Sequence, residues 1–330
     1  MVEQPRRRGA ARLIAPANAK PRRNTVAKPL KLSMPGRRFV IGVPYVWLLI
    51  FFFLPFLILL YISFVDMGNE IHPFQPLWDP QQGVLLLKFE NYWSIFRTGP
   101  DGALFQTLYV ESYVRSIAYA LITALLCLII GYPFAYFIAR SAPEMRLILL
   151  MLLMLPFWTS FMLRVFAWKG ILSDFGVVNQ FLIFIGLTDE PLRLIYTDFS
   201  MLIGMVYVYL PFMVLPLYAN LVKMDFRLLE AAYDLGASPF KAFWLITVPL
   251  SKPGIIAGMM LVFIPSMGEF VVPSLLGGAD NIMIGRVVWD EMFIANNWPR
   301  ASALAVLMIL LVIIPMMLYF RYGMRDSDAR

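Results

Sequence analysis

Residues 223–253 read KMDFRLLEAAYDLGASPFKAFWLITVPLSKP, and an apolar run flanks them on each side. Phe226, Leu229 and Tyr233 recur at three- and four-residue spacing, which predicts an amphipathic helix over 225–235. Gly236 stands where a left-handed cap ends such a helix. Ser238 and Pro239 are N-cap and first-turn residues for a second helix. The stretch therefore reads as a compact helix–turn–helix. Small Ala231 and Ala232 leave room for another surface to approach the first helix. From physics alone, a connector lying at a membrane face without any partner fits these residues equally well.

The flanking runs set the fold class. A membrane-spanning helix needs about 20 mostly apolar residues. Residues 199–222 precede the loop and 254–272 follow it, and four further stretches qualify, at 40–64, 112–139, 147–171 and 301–320. The apolar stretch 177–187 is too short to span and reads as an external interfacial helix. The expectation is an all-α membrane protein with six transmembrane helices. Pro55, Pro156, Pro211, Pro265 and Pro315 interrupt these spans. Each removes a backbone donor and tends to kink its helix, which suits spans that bend around a cavity. Gly254 and Gly258 form a Gly-x-x-x-Gly pair that lets two helices approach closely.

Composition agrees. Of 330 residues 60% are hydrophobic and 15% charged, against roughly 45–50% and about 25% for ordinary soluble domains. The net charge of +7 invites a nucleic-acid reading, but its distribution opposes it. Eleven of the 28 Lys and Arg precede residue 39, in a Pro-, Ala- and Arg-rich segment without apolar periodicity. Residues 1–38 are expected to be a disordered cytoplasmic tail, and 39–330 the six-span domain with an internal loop at 223–252. With both termini inside, the inner segments hold 20 Lys and Arg and the outer segments five, as the positive-inside rule requires. The outer segments carry 13 acids and sum to −8. Ordinary solubilising loops account for that, and so does a field that gathers cations. The single Cys127 and single His72 exclude an internal disulfide and a His or Cys metal cluster.

The motif Glu230-Ala231-Ala232, three residues, Gly236, nine residues, Ile246, then Val248-Pro249 resembles the EAA loop of ABC-importer permeases, with Val248 where Leu is commoner. The segments LPFWTSFMLRVFAW (155–168), YVYLPFMVLPLYANL (207–221), PSMGEFVVPSLLGG (265–278) and IMIGRVVWDEMF (282–293) are similar to the polyamine branch of that family, most of all to putrescine permeases. The resemblance covers nearly everything after about residue 38. It implies the type I importer architecture in a bacterial inner membrane. The implied partners are a second, homologous permease subunit, two ATPase subunits and a periplasmic polyamine-binding protein. It also implies that Glu230, Ala231, Ala232 and Gly236 dock the ATPase and transmit its closure. No phosphate-binding loop, His-Glu-x-x-His or Gly-x-Ser-x-Gly motif occurs. The chain is thus not expected to be an enzyme or to hold a cofactor, ATP and Mg belonging to the partner ATPase.

Glu269 is the one acid inside an expected span, and an intramembrane charge is costly enough to suggest function. It can attract a substrate ammonium or neutralise Arg164 in a buried ion pair. Trp158, Tyr207, Tyr209 and Phe263 lie near mid-span, where aromatic faces either attract alkylammonium groups or simply pack. An ion-coupled carrier or passive channel for small cations is the competing function, and an intramembrane enzyme a more distant one.

Overall fold

A computed structural model describes residues 35–68, 73–79, 84–85, 87–97, 108–278 and 281–327. Most of the expected basic tail, residues 1–34, and His72 lie outside them. The chain divides into two units, one ending at Pro55 and the other running Phe56–Arg330. The first helix α1 spans Pro35–Leu48, passes through a π turn at Leu49–Phe53 and continues as α2, Leu54–Ser63. Two-residue strands β1 (Trp78–Asp79) and β2 (Val84–Leu85) pair antiparallel beyond it. Next come α3 (Glu90–Arg97), α4 (Leu108–Arg140), α5 (Pro143–Met154), α6 (Phe161–Ile171) and α7 (Val177–Phe184). The remainder is α8 (Asp198–Leu221), α9 (Arg227–Asp234), α10 (Pro239–Ala242), α11 (Val248–Met267), α12 (Val271–Leu276), α13 (Ile284–Phe293) and α14 (Trp298–Ser327).

Phe39–Ser63, Leu108–Arg140, Asp198–Leu221 and Pro239–Met267 are each long and apolar enough to cross a membrane. The third expected span is a bent pair, Pro143–Trp158 and Phe161–Ile171, meeting at 86°. The sixth lies in α14, whose stretch Trp298–Ile314 is apolar. The short α7 stands where the interfacial helix was expected.

Proline chemistry explains most irregularities. Pro156 sits in a 3-10 turn, Leu155–Trp158, after which Thr159 is extended and Ser160 opens α6. Each π turn, Leu49–Phe53 and Phe243–Thr247, holds the residue four places before a proline, Pro55 or Pro249. Proline cannot donate to that carbonyl and its ring crowds it, so the helix locally takes one extra residue per turn. Two sequence expectations are corrected here. The second helix of the internal loop is not separate, because α10 runs through the π turn into α11. The fifth span ends at Met267 rather than 272, because Gly268 closes α11 and Phe270 leaves the helical region before α12.

The core is the contact of α4, α8 and α11. Along α4 the buried positions include Ser112, Ser116, Ala120, Ala124, Cys127, Gly131, Ala135 and Ala139. They recur every three to four residues and form a stripe of small side chains. Against it lie Met205, Met213, Val214 and Leu217 of α8 and Val262 of α11, all fully buried. Gly254 and Gly258 bring α11 onto α8. A Cβ added at Gly254 would stand 2.7 Å from Asn220 Cβ and 3.1 Å from the Pro216 carbonyl. One added at Gly258 would stand 2.6 Å from Met213 Sδ.

Gly254→Val should therefore force the two helices apart, an overpacking cost of about 1–3 kcal/mol. Thermal unfolding of the purified importer checks this, a lower midpoint being expected. An unchanged midpoint would show that α8 and α11 do not rely on this approach.

Candidate functional site

The 223–252 loop presents an exposed helix. In α9 Leu229 is buried, while Glu230 and Ala231 are exposed and Ala232 is half-buried. Gly236 has φ +81°. Its amide donates to the Tyr233 carbonyl at 2.9 Å, and that of Ala237 donates to the Ala232 carbonyl at 2.9 Å. Those two bonds close the helix end in a Schellman motif, which glycine adopts without a Cβ penalty. Ser238 Oγ accepts from the Lys241 amide to start α10. The loop is clamped at both ends to the C-terminal turns of α4. Phe226 meets Tyr136 edge-on at 6.4 Å, and Phe243 meets Tyr132 at 5.5 Å and Tyr136 at 6.2 Å. Arg140 stacks over Tyr136 and Phe226. The hydroxyls of Tyr132 and Ser251 are hydrogen-bonded at 2.8 Å. Leu228, Tyr233, Leu235 and Phe240 remain exposed around the loop, Leu235 at 89%. At its entry Asp225 pairs with Arg227 at 3.0 Å, and that hydrogen bond holds the carboxyl below its ordinary range.

The second feature is the break between α11 and α12. Glu269 sits in it, half-buried, and its carboxylate accepts three hydrogen bonds from this chain. Tyr209 donates to Oε2 at 2.5 Å, and the amides of Val271 and Val272 donate to Oε1 at 3.0 and 3.4 Å. The acid thus caps the first turn of α12. The break has little room, since a Cβ at Gly285 of α13 would lie 2.4 Å from the Gly268 carbonyl.

The ion-pair reading of Glu269 is not what the structure holds. Among the described residues Glu269 makes no ion pair. Arg164 instead stacks over Phe157 at 4.5 Å and near Phe161 at 5.8 Å. Phe157 meets Phe212 at 5.7 Å, and Phe212 meets Tyr209 at 6.3 Å. Acid and base are therefore linked through three aromatic rings rather than by contact. One Glu269 oxygen, Oε2, receives a single described donor, and a carboxylate oxygen accepts about two.

The four aromatic candidates do not form one group. Tyr209 is buried against Glu269. Tyr207, two residues away and so on the opposite side of α8, meets Trp168 at 5.5 Å. It lines a cleft of about 440 Å³ with Thr159, Arg164 and Trp168. Trp158, 77% exposed, projects at the bend of the third span. Phe263 lines a separate apolar groove with Leu121, Ile256 and Met259. The sequence reading missed the stack of Phe270 on Trp289, 4.8 Å apart and 14° from parallel, with Phe293 4.3 Å beyond. The aromatics in 265–278 and 282–293 were its only signal.

The family described as binding-protein-dependent transport system inner membrane component matches residues 131–323. The chain is 37% identical over 286 residues to the spermidine/putrescine transport system permease protein PotB of Haemophilus influenzae, covering 86% of this chain and 93% of that protein. It is 38% identical over 275 residues to PotB of Escherichia coli, covering 83% and 93%. A bacterial ABC transporter involved in the import of the acidic polysaccharide alginate has a chain of similar fold. The TM-score is 0.58 at 16% identity, covering 88% of this chain and 96% of that one.

Tyr209→Phe removes the hydroxyl donor of Glu269 and keeps its two amide donors. Hydrogen bonds to charged groups contribute about 1.5–3 kcal/mol. Amide hydrogen exchange at Val271 and Val272 should accelerate at least several-fold in the variant. Unchanged protection would mean that the Tyr209–Glu269 bond does not hold the break.

Proposed function

The chain belongs to the binding-protein-dependent transport system inner membrane component family, and from that premise we propose that it is the membrane-spanning subunit of an ATP-driven polyamine importer. The observation that carries the substrate class is the likeness, along most of the chain, to permeases named for spermidine and putrescine. It is an inner-membrane protein and not itself an enzyme, ATP hydrolysis residing on a separate subunit. Putrescine is the preferred substrate in this reading, on the motifs of 155–168 and 265–278. The importer comprises this chain, a second permease, two ATPase subunits that hold ATP and Mg, and a periplasmic binding protein. Both termini and the 223–252 loop face the cytoplasm, as the charge bias supports.

The loop geometry fits the EAA role. An exposed α9 with small Ala231, ended sharply at Gly236 and joined to α4 by edge-to-face aromatics, is a stiff handle. Force applied to α9 reaches α4 through Phe226 and α11 through the helix that begins at Pro239. ATP-driven closure of the ATPase pair would move both, turning the spans from inward-open to outward-open. The binding protein then delivers its cation into the opened path, and hydrolysis resets the state.

Within that path Glu269 is the acceptor for a substrate ammonium. Its Oε2 has capacity beyond the Tyr209 bond, and it occupies a helix break where α11 and α12 can part. Trp158 and Phe263 offer ring faces on other surfaces, each worth roughly 0.5–2 kcal/mol to a cation, whereas Tyr207 shares its cleft with Arg164. The binding role of Glu269 and its observed capping role make different demands on a neutral isostere. Glu269→Gln keeps an oxygen for the two amides and turns its NH2 to the Tyr209 hydroxyl, which can accept, but removes the charge. Putrescine uptake by cells carrying the variant should fall at least tenfold, while the amount of assembled importer stays at the wild-type level. Unimpaired uptake would refute the ammonium role. Loss of assembled importer would reduce Glu269 to a structural cap.

A further inference from the structure

Arg164 presents the least satisfied group in the membrane region. Its Nε and Nη1 are buried and have no hydrogen-bond partner among the described residues. It forms no ion pair there, and its companions are the rings of Phe157 and Phe161. Glu269, the nearest expectation for a counter-charge, is committed to Tyr209 and to the α12 amides. A guanidinium cannot shed its proton to escape this situation. Such charges inside membranes face a partner, a cavity or one another.

The surroundings point outward from the chain. Arg164 lines the cleft with Thr159, Leu163, Trp168 and Tyr207, which is open on one side. Beside it Met162, Leu163 and Phe166 of α6 are exposed, Leu163 at 65%. An apolar helix face with one unpaired cation in its cleft complements a surface that is apolar with one acid. Depth selects the source of that acid. Tyr207 stands nine residues into α8 from Asp198, about 13 Å along the helix axis. That level is within the hydrocarbon, below the lipid phosphates. A cationic substrate is excluded, because a bare guanidinium repels it.

We propose that the Arg164 cleft receives a carboxylate side chain of the second permease subunit, and that this charge pair fixes the seam between the two subunits. The proposal rests on reading the chain as one of two permeases in an importer. The pair also neutralises Arg164, so that a polyamine can pass nearby without repulsion. Arg164 is preferable to lysine there, since a guanidinium stacks on Phe157 while its remaining N–H groups bond a carboxylate.

The test uses the importer with this chain tagged and the second permease co-expressed. Retention of the second permease per tagged chain is measured after detergent purification, alongside the membrane level of the tagged chain. Arg164→Met should keep the membrane level and lower retention at least tenfold, and Arg164→Lys should lower it less. Each membrane-embedded acid of the second permease is then neutralised singly, Asp→Asn or Glu→Gln. One of these changes should break assembly with the wild-type chain and be rescued by Arg164→Met. That pairwise rescue decides the matter even if Arg164→Met alone inserts poorly. Wild-type retention by Arg164→Met, or the absence of any acid whose neutralisation is rescued, overturns the proposal. Full retention with loss of a co-purifying anionic lipid in native mass spectrometry assigns the cleft to a phosphate and also overturns it. Failure of the wild-type chain to retain any second permease would instead undo the two-permease reading itself.

Discussion

The close approach of α4, α8 and α11 is the constraint on which the rest depends. In lipid, burying an apolar side chain gains little over leaving it among acyl chains. Helices therefore associate through van der Waals contact and need small residues to reach one another. The α4 stripe from Ser112 to Ala139 supplies these on one side, and Gly254 and Gly258 supply them on the other. Large, adaptable methionines fill the space between, Met205 and Met213 being fully buried. The result is a dense three-helix pillar that presents fixed positions at both ends.

The candidate functional residues sit where that pillar stops being regular. At one end, aromatic rings from the loop pack on Tyr132 and Tyr136, which ties the loop to α4. At the other end, α11 ends at Gly268, and Glu269 uses its carboxylate to restart the chain as α12. A helix end in the membrane must satisfy its free backbone donors internally, and Glu269 does so for two of them. The proposed ammonium role adds to this observed capping role, since Oε2 keeps room for a further donor. The two roles are not alternatives of the kind the sequence suggested, in which Arg164 was the competing partner.

Much of this was legible in the primary sequence. The six apolar stretches, the helix–Gly turn at 227–236, the N-cap at Ser238 and the close-packing glycines of α11 all follow from local patterns. The left-handed conformation of Gly236 is the clearest case, because one residue type and one position determine it. Three things were not legible. The α4 stripe mixes Ser, Ala, Cys and Gly, so no simple motif marks it. The partners of Glu269 are 60 residues away in Tyr209 and adjacent in the backbone of α12, and no charge count reveals a tyrosine or an amide. The scattering of Trp158, Tyr207, Tyr209 and Phe263 over different surfaces depends on the bend at Thr159 and on helix phase, which span prediction does not fix.

The central claim is that α9 is the handle by which an ATPase subunit drives this chain. The sequence has one cysteine, Cys127, and it is fully buried, so a thiol introduced at an exposed position is the one that reacts. With Ala231→Cys in the assembled importer, a short thiol-to-amine crosslinker should join the chain to the ATPase subunit in high yield. Gly236→Val in the same background should lower that yield and the uptake per ATP hydrolysed. A chain that crosslinks only to lipid or to itself from position 231, and still transports with Gly236→Val, would contradict the account.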